Sequence, residues 1–401
     1  MSFNASHWHS RKKASILALL LTMVLLGVFP LDVVLPSFPD LSSSFQVSQS
    51  SIAFSLSLFA MTVAMSQLII GPLSDRIGRK PLLVIGILLA MSGALACTIV
   101  QDYAVFLFCR TIQAIGCGCF VLANALVQDI YNDAERDRVR IIIGTASGVF
   151  ISLSPLAGTF LQRALEWQGS FYVFSALALL VLFQTKDIPP LTPSRKATSY
   201  VTRRYVALIK SSSFLGNSVV VAIAFSCHFS FVVISPVIFL DLLRLSQFEY
   251  SLILLAYGAA YLGGGFLAMA LGFRLARHKQ ITAGLLLIGL AGVGLMVFNL
   301  FEGASVAGIL IPMVVATTGT TITRPAATSA AMEVFPEQAG TASALLNTLT
   351  LTAGGAFSAL LSLASVAPGF RLGLSFLLLS GVAVALARVT HAARPVEEGQ
   401  A

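Results

Sequence analysis

The chain has 401 residues, of which 57% are hydrophobic and 10% charged, with a mean hydropathy of +0.88. Soluble domains carry about 25% charged residues, so the composition excludes an ordinary soluble fold and points to an all-α polytopic membrane protein. The net charge of +8 does not mark a nucleic-acid binder, because the lysines and arginines punctuate apolar runs instead of forming one patch.

Apolar runs of roughly twenty residues are long enough to cross a bilayer as helices. Taken in order they predict spans at 14–36, 50–72, 81–101, 104–128, 138–163 and 167–186, then at 213–238, 249–273, 280–301, 304–330, 338–364 and 369–391. The first run has no small-residue cleavage site behind it and is too long for a signal-peptide core, so it is read as the first span. The stretch from Lys186 to Lys210, with Pro189, Pro190 and Pro193 and six bases, reads as a solvated connector near anionic head groups. It divides the chain into an N-terminal six-helix half (1–186), a basic linker (187–212) and a C-terminal six-helix half (213–401). Cytoplasmic loops carry the excess of Lys and Arg. With the N-terminus inside, 21 of these residues fall in cytoplasmic segments, Arg324 counted among them, against 3 outside (Arg163, Arg244, Arg371). Both termini are therefore expected in the cytoplasm. Cys97, Cys109, Cys117, Cys119 and Cys227 all lie in apolar runs and read as packing residues, with neither a disulfide framework nor a metal site at ligand spacing.

Between the second and third spans the chain reads Gly71-Pro72-Leu73-Ser74-Asp75-Arg76-Ile77-Gly78-Arg79-Lys80-Pro81. Its bases alone would serve as topology determinants, but Asp75 and the glycines need another reason. Gly71 would let two helices approach closely, and Gly78 would permit a tight turn. Gly71, Asp75, Arg76, Gly78, Arg79 and Lys80 fit, position by position, the signature loop of the major facilitator superfamily, and the chain is identified as a member of it on that resemblance. The resemblance implies two six-helix halves that rock about a central site, with the loop's acid and bases acting as a gating latch between the ends of the halves.

In the fourth span Arg110-Thr111-Ile112-Gln113-Ala114-Ile115-Gly116 resembles the motif of drug/proton antiporters in that superfamily, with Ala114 where a glycine is usual. Arg110, Gln113, Cys117, Asn124 and Gln128 share one helical face by spacing. A polar stripe along a spanning helix is expected to face protein or a water-filled cavity. The natural partner for Arg110 is Asp32 in the first span. Both sit roughly 6–9 Å below the outer boundary at about 1.5 Å per residue, so depth permits an ion pair. Leu31-Asp32-Val33-Val34-Leu35-Pro36 is similar to the element that opens bicyclomycin and chloramphenicol exporters of the Bcr/CflA group, with Val34 for the usual tyrosine. A carboxyl in low dielectric favours its neutral form and a nearby guanidinium its charged form, so substrate that weakens the Asp32–Arg110 interaction would tip protonation. A static structural pair is the alternative.

Pro155 and Gly158 retain part of the exporters' fifth-span packing motif, with Ser154 and Thr159 at glycine positions, and Trp167-Gln168-Gly169-Ser170-Phe171 resembles the entrance to the sixth span. In the second half Ser235-Pro236-Val237-Ile238 and Gly340-Thr341-Ala342-Ser343-Ala344 look like spans seven and eleven of the same group. His228 lies one heptad before Ser235. Tyr257 and Tyr261 lie on the eighth span, where they line a cavity or pack, and Tyr250 reads as an interface anchor. Gln113, Cys117, Asn124, His228, Ser235, Tyr257 and Tyr261 are the candidate substrate-cavity residues, Asp32 and Arg110 the proton-coupling pair.

No phosphate loop, metal-ligand cluster or nucleophile–base pair occurs in the sequence, so no cofactor and no enzymatic reaction are expected. The resemblance implies a proton-coupled exporter of a small organic solute, a functional monomer in the bacterial inner membrane, whose partners are the substrate, protons and lipid and not nucleic acid. Drug efflux, export of an endogenous metabolite such as a siderophore, proton-driven uptake, and a non-transporting receptor or assembly factor that keeps the fold are the alternatives left open by the residues.

Overall fold

The computed structural model describes residues 5–131, 133–189, 201–272, 274–301, 303–335, 339–363 and 368–392, the side chains of 5–12, 75, 133, 134, 137, 141, 201–204, 339, 340 and 390–392 excepted. Every regular element among them is helical. Twelve helical segments are long and apolar enough to span a membrane: Lys13–Phe45, Gln49–Ser74, Arg79–Cys97, Tyr103–Ile130, Arg138–Leu165, Gly169–Asp187, Ser212–Leu242, Gln247–Gly272, Arg277–Phe301, Val306–Met332, Thr341–Ser362 and Pro368–Val389. The chain is an all-α, twelve-span membrane protein. Contacts divide it into two compact units, 1–47 with 65–198, and 48–64 with 199–401.

The first unit is built from α1 (Ala5–Asp32), α2 (Phe38–Phe45), the second half of α3 (Gln49–Ile77), α4 (Arg79–Cys97), α5 (Tyr103–Cys117), α6 (Leu122–Ile130), α7 (Asp133–Leu165) and α8 (Gly169–Gln184). Local chemistry sets several of the breaks. Gly78 adopts φ 104° between α3 and α4, a conformation open to glycine and costly for other residues. Asp102 caps α5 by accepting from the Val105 amide at 2.9 Å. Between α5 and α6 the residues Gly118–Val121 tighten into a 3-10 turn.

Glycines bring α4 against the α5 side. A Cβ on Gly93 would strike the Gln113 backbone, one on Gly116 the Ala90 backbone, and one on Gly86 the Cys119 side chain. Such close approach substitutes van der Waals packing for the hydrophobic driving force that lipid removes. Gly71, expected to do this work, has no neighbour within 4 Å of where its Cβ would stand. The core near α2 is aromatic. Phe45, Phe106, Trp167 and Phe171 pack with centroids 4.6–6.4 Å apart, several edge to face.

The second unit holds α9 (Val201–Lys210), α10 (Ser212–Pro236), α11 (Gln247–Gly272), α12 (Arg277–Phe301), α13 (Val306–Met332), α14 (Ala339–Ser362) and α15 (Pro368–Ala392) with the first half of α3. α10 is buried along most of its length and is followed by a π-helical turn, Val237–Leu242. α12 meets α13 and α15 through paired glycines. A Cβ on Gly284 would lie 2.6 Å from the Gly319 carbonyl oxygen, and one on Gly292 2.6 Å from that of Gly373.

The structure departs from the sequence expectation at two places. The linker is not a solvated connector throughout. Residues 190–200, with Pro190, Pro193, Arg195 and Lys196, lie outside the described residues, but 201–210 form α9, whose Leu208 is fully buried. Arg324, counted as a loop base, lies inside α13, eight residues before Met332.

Candidate functional site

α1 carries Pro30 near its end and stops at Asp32, after which Leu35–Ser37 turn as a 3-10 helix. The last bond of the α1 ladder runs from the Val33 amide to the Phe29 carbonyl at 3.1 Å. Carbonyls at a helix end lack intrahelical partners and carry the negative end of the dipole. Arg110 fills this vacancy. Its Nη2 donates to the Pro30 carbonyl at 3.0 Å and its Nη1 to Gln113 Oε1 at 2.8 Å, with the guanidinium 5.6 Å from the Phe171 ring centroid. Arg110 and Gln113 are 2% and 1% exposed.

Asp32 is also buried, at 9% exposure. Its Oδ2 has no hydrogen-bond partner, and it forms no ion pair among the described residues. The expected Asp32–Arg110 pair is therefore not made. The open carbonyl at the end of α1 engages the guanidinium instead. Beside Arg110 lies a cavity of about 10 Å³ lined by Phe29, Pro30, Val34, Gln113, Phe171 and Phe174 among others, room for about one water molecule. Gly158 of α7 meets the turn that follows Asp32. A Cβ there would collide with the Val33 carbonyl and approach Pro36 Cδ at 3.2 Å, so α7 packs directly on the turn after Asp32. Pro155 lies one turn earlier in the same helix.

The fourth-span stripe divides. Arg110, Gln113 and Cys117 are buried, whereas Asn124 and Gln128 are exposed, Gln128 accepting from Arg140 at 2.9 Å. The cause is the 3-10 turn between them: four residues at about 120° instead of about 100° advance the phase by about 80°.

In the signature loop, Arg79 donates from Nε to Asp129 Oδ2 at 3.1 Å and from Nη1 to Ser74 Oγ, tying the start of α4 to the end of α6. Arg76 is exposed and Lys80 half-buried. The side chain of Asp75 lies outside the described residues, as do the surroundings of Gly340.

In the second unit His228 and Tyr257 come together. Nδ1 of His228 is 2.6 Å from the Tyr257 hydroxyl with the rings nearly parallel, and the Tyr261 ring lies 5.4 Å from the imidazole. Ser235 is elsewhere. Fully buried, it shares a 2.7 Å hydrogen bond with the Tyr250 hydroxyl. Tyr250, expected as an interface anchor, is thus a core residue whose polar end is satisfied inside the protein. Sequence reasoning missed Arg324, whose Nη1 donates to Tyr261 Oη at 3.4 Å and whose guanidinium stands 4.9 Å over Phe225. The signal was available: a lone base well within an apolar run. Among the described residues no group of His, Cys, Asp and Glu side chains is arranged to hold a metal ion.

Residues 16–359 match the Major Facilitator Superfamily. This chain belongs to that superfamily. It is a multi-pass membrane transporter and not an enzyme, and its cargo is a small molecule. The transporter is 27% identical over 281 residues to multidrug resistance protein MdtL of Escherichia coli, covering 69% of this chain and 71% of that one. It is 28% identical over 372 residues to the MFS-type transporter YdgK of Bacillus subtilis, covering 89% and 91%. Among solved structures, a D-xylose-proton symporter superposes with a TM-score of 0.74 at 17% identity, covering 96% of this chain and 99% of that one. A peptide transporter, POT, gives 0.73 at 18%, covering 94% of each. At these identities the structural likeness speaks for the fold alone.

Proposed function

We propose that this transporter is a proton-coupled exporter of a small organic solute, a drug-efflux protein of the Bcr/CflA kind working by alternating access. The observation that carries the reading is the carboxyl of Asp32, buried at the end of α1 with an orphan Oδ2. An ionised carboxylate without a partner is expensive to keep in such a place. Gain or loss of its proton must therefore accompany access to water or to a counter-charge, which links protonation to conformation. Arg110 supports this as a positioning residue, holding the Pro30 carbonyl and so the helix end on which Asp32 sits. The likeness of Leu31–Pro36 and of Arg110–Gly116 to drug/proton antiporters, and the 27% identity to MdtL, favour efflux of foreign compounds over the other cargoes.

In this reading the protein is a monomer of the bacterial inner membrane with both termini in the cytoplasm. Gly71, Asp75, Arg76, Gly78, Arg79 and Lys80 form the gating loop, and Gln113, Cys117, Asn124, His228, Tyr257 and Tyr261 serve the substrate path. Purified protein in liposomes, given radiolabelled chloramphenicol and a pH gradient of either sign, tests it. Exchange of proton for solute in opposite directions is expected; co-movement in one direction would establish uptake, and no response to either gradient would reject transport of this probe by proton coupling.

A further inference from the structure

Arg324 is a cation with no acid paired to it among the described residues. It stands eight residues from the end of α13, about 12 Å along a helix rising 1.5 Å per residue. Its side chain does not run out toward that end but turns across to α10 and α11, where it meets Phe225 and Tyr261. A guanidinium offers five N–H donors in a rigid fork. Here Nη1 reaches one hydroxyl at 3.4 Å, a long contact, while Nε is buried and bonded to nothing. Arg324 forms no ion pair among the described residues.

Around it stands an aromatic wall. Phe225 lies 6.4 Å from the His228 ring, which lies 5.5 Å from Tyr257 and 5.4 Å from Tyr261. Phe225, His228, Tyr261 and Arg324 each keep part of their surface uncovered, although all four belong to spans. An arginine kept in a spanning segment at substantial cost is a functional feature by default, and its planar fork matches a carboxylate.

We propose that Arg324 is the anion-binding anchor of the cargo site, and that the site prefers organic acids to uncharged solutes, the carboxylate binding the guanidinium while an aromatic or apolar body lies against Phe225, His228 and Tyr261. The proposal rests on the transporter reading of these residues but names a chemical class that reading does not. It distinguishes Arg324 from Arg110, whose donors are engaged by Pro30 and Gln113 inside the first unit.

Equilibrium binding to the full-length protein in phosphatidylcholine nanodiscs tests it, using 2-naphthoate and indole-3-acetate against their uncharged carboxamides. The wild type is expected to bind at least one carboxylate about tenfold more tightly than its amide, the scale of a hydrogen bond to a charged group. Arg324→Gln should abolish that preference and leave amide binding alone, and Arg324→Lys should keep part of it, which guards against a variant that misfolds. No carboxylate preference in the wild type, or a preference that survives Arg324→Gln, overturns the proposal. So does loss of carboxylate binding on adding phosphatidylglycerol to the nanodiscs, since the anion would then be a lipid head group. Binding needs no gradient, so it is decided independently of the chloramphenicol transport result.

Discussion

Nη2 of Arg110 holds the carbonyl oxygen of Pro30 at 3.0 Å, two residues before Asp32, whose own Oδ2 is buried and bonded to nothing. The fourth-span cation thus completes the end of the first-span helix instead of neutralising its acid. A helix terminus and a guanidinium satisfy each other, and the carboxyl is left able to respond to a proton.

Arg110→Ala is expected to lower the stability of the purified protein by about 1–3 kcal/mol, the cost of leaving a buried acceptor unsatisfied. Arg110→Lys should lose less, since an ammonium reaches Pro30 but not Gln113 as well. Thermal unfolding in detergent measures both, and an Arg110→Ala variant that melts with the wild type would show that the cap contributes nothing.

Two glycines of the recognised motifs should behave oppositely. Gly158→Ala drives a methyl into the Val33 carbonyl, and overpacking of this kind costs about 1–3 kcal/mol. Gly71→Ala meets open space and replaces glycine within a helix, so stability should hold or rise by up to about 1 kcal/mol. Melting temperatures of the two variants side by side check the contrast, and equal losses would contradict it.

Ser235 and Tyr250 should couple. Ser235→Ala and Tyr250→Phe each break the 2.7 Å hydrogen bond, so the double variant should lose less than the sum by about 0.5–1.5 kcal/mol. An additive double-mutant cycle would show the bond to be incidental.

The spans were legible because length and apolarity are dictated by the bilayer and written directly into composition. Gln49–Ser74 and Arg138–Leu165 differ from the sequence expectation by only a few residues at their ends. Gly78 and Gly158 were legible for a related reason, that a positive φ or a close backbone contact leaves glycine little competition. What sequence spacing did not reveal was a change of helical pitch. The 3-10 turn at Gly118–Val121 rotates Asn124 and Gln128 out of the face that Arg110 and Gln113 share, and a fixed 3.6-residue period conceals it. Nor does spacing say which acceptor a side chain meets. Asp32 and Arg110 have opposite charges, yet the open Pro30 carbonyl takes the guanidinium. Arg324 was hidden by counting bases according to loops, which assigned it to the boundary when its helix carries it inward.

The most direct measurement compares wild type and Asp32→Asn in liposomes, first with a proton gradient and then in solute exchange at equal pH on both sides. Removing the titratable group without changing its shape should abolish gradient-driven movement of chloramphenicol while exchange without a gradient persists. Gradient-driven movement at the wild-type rate in Asp32→Asn would contradict the account, because the proton would then travel by a group other than the buried acid at the end of α1.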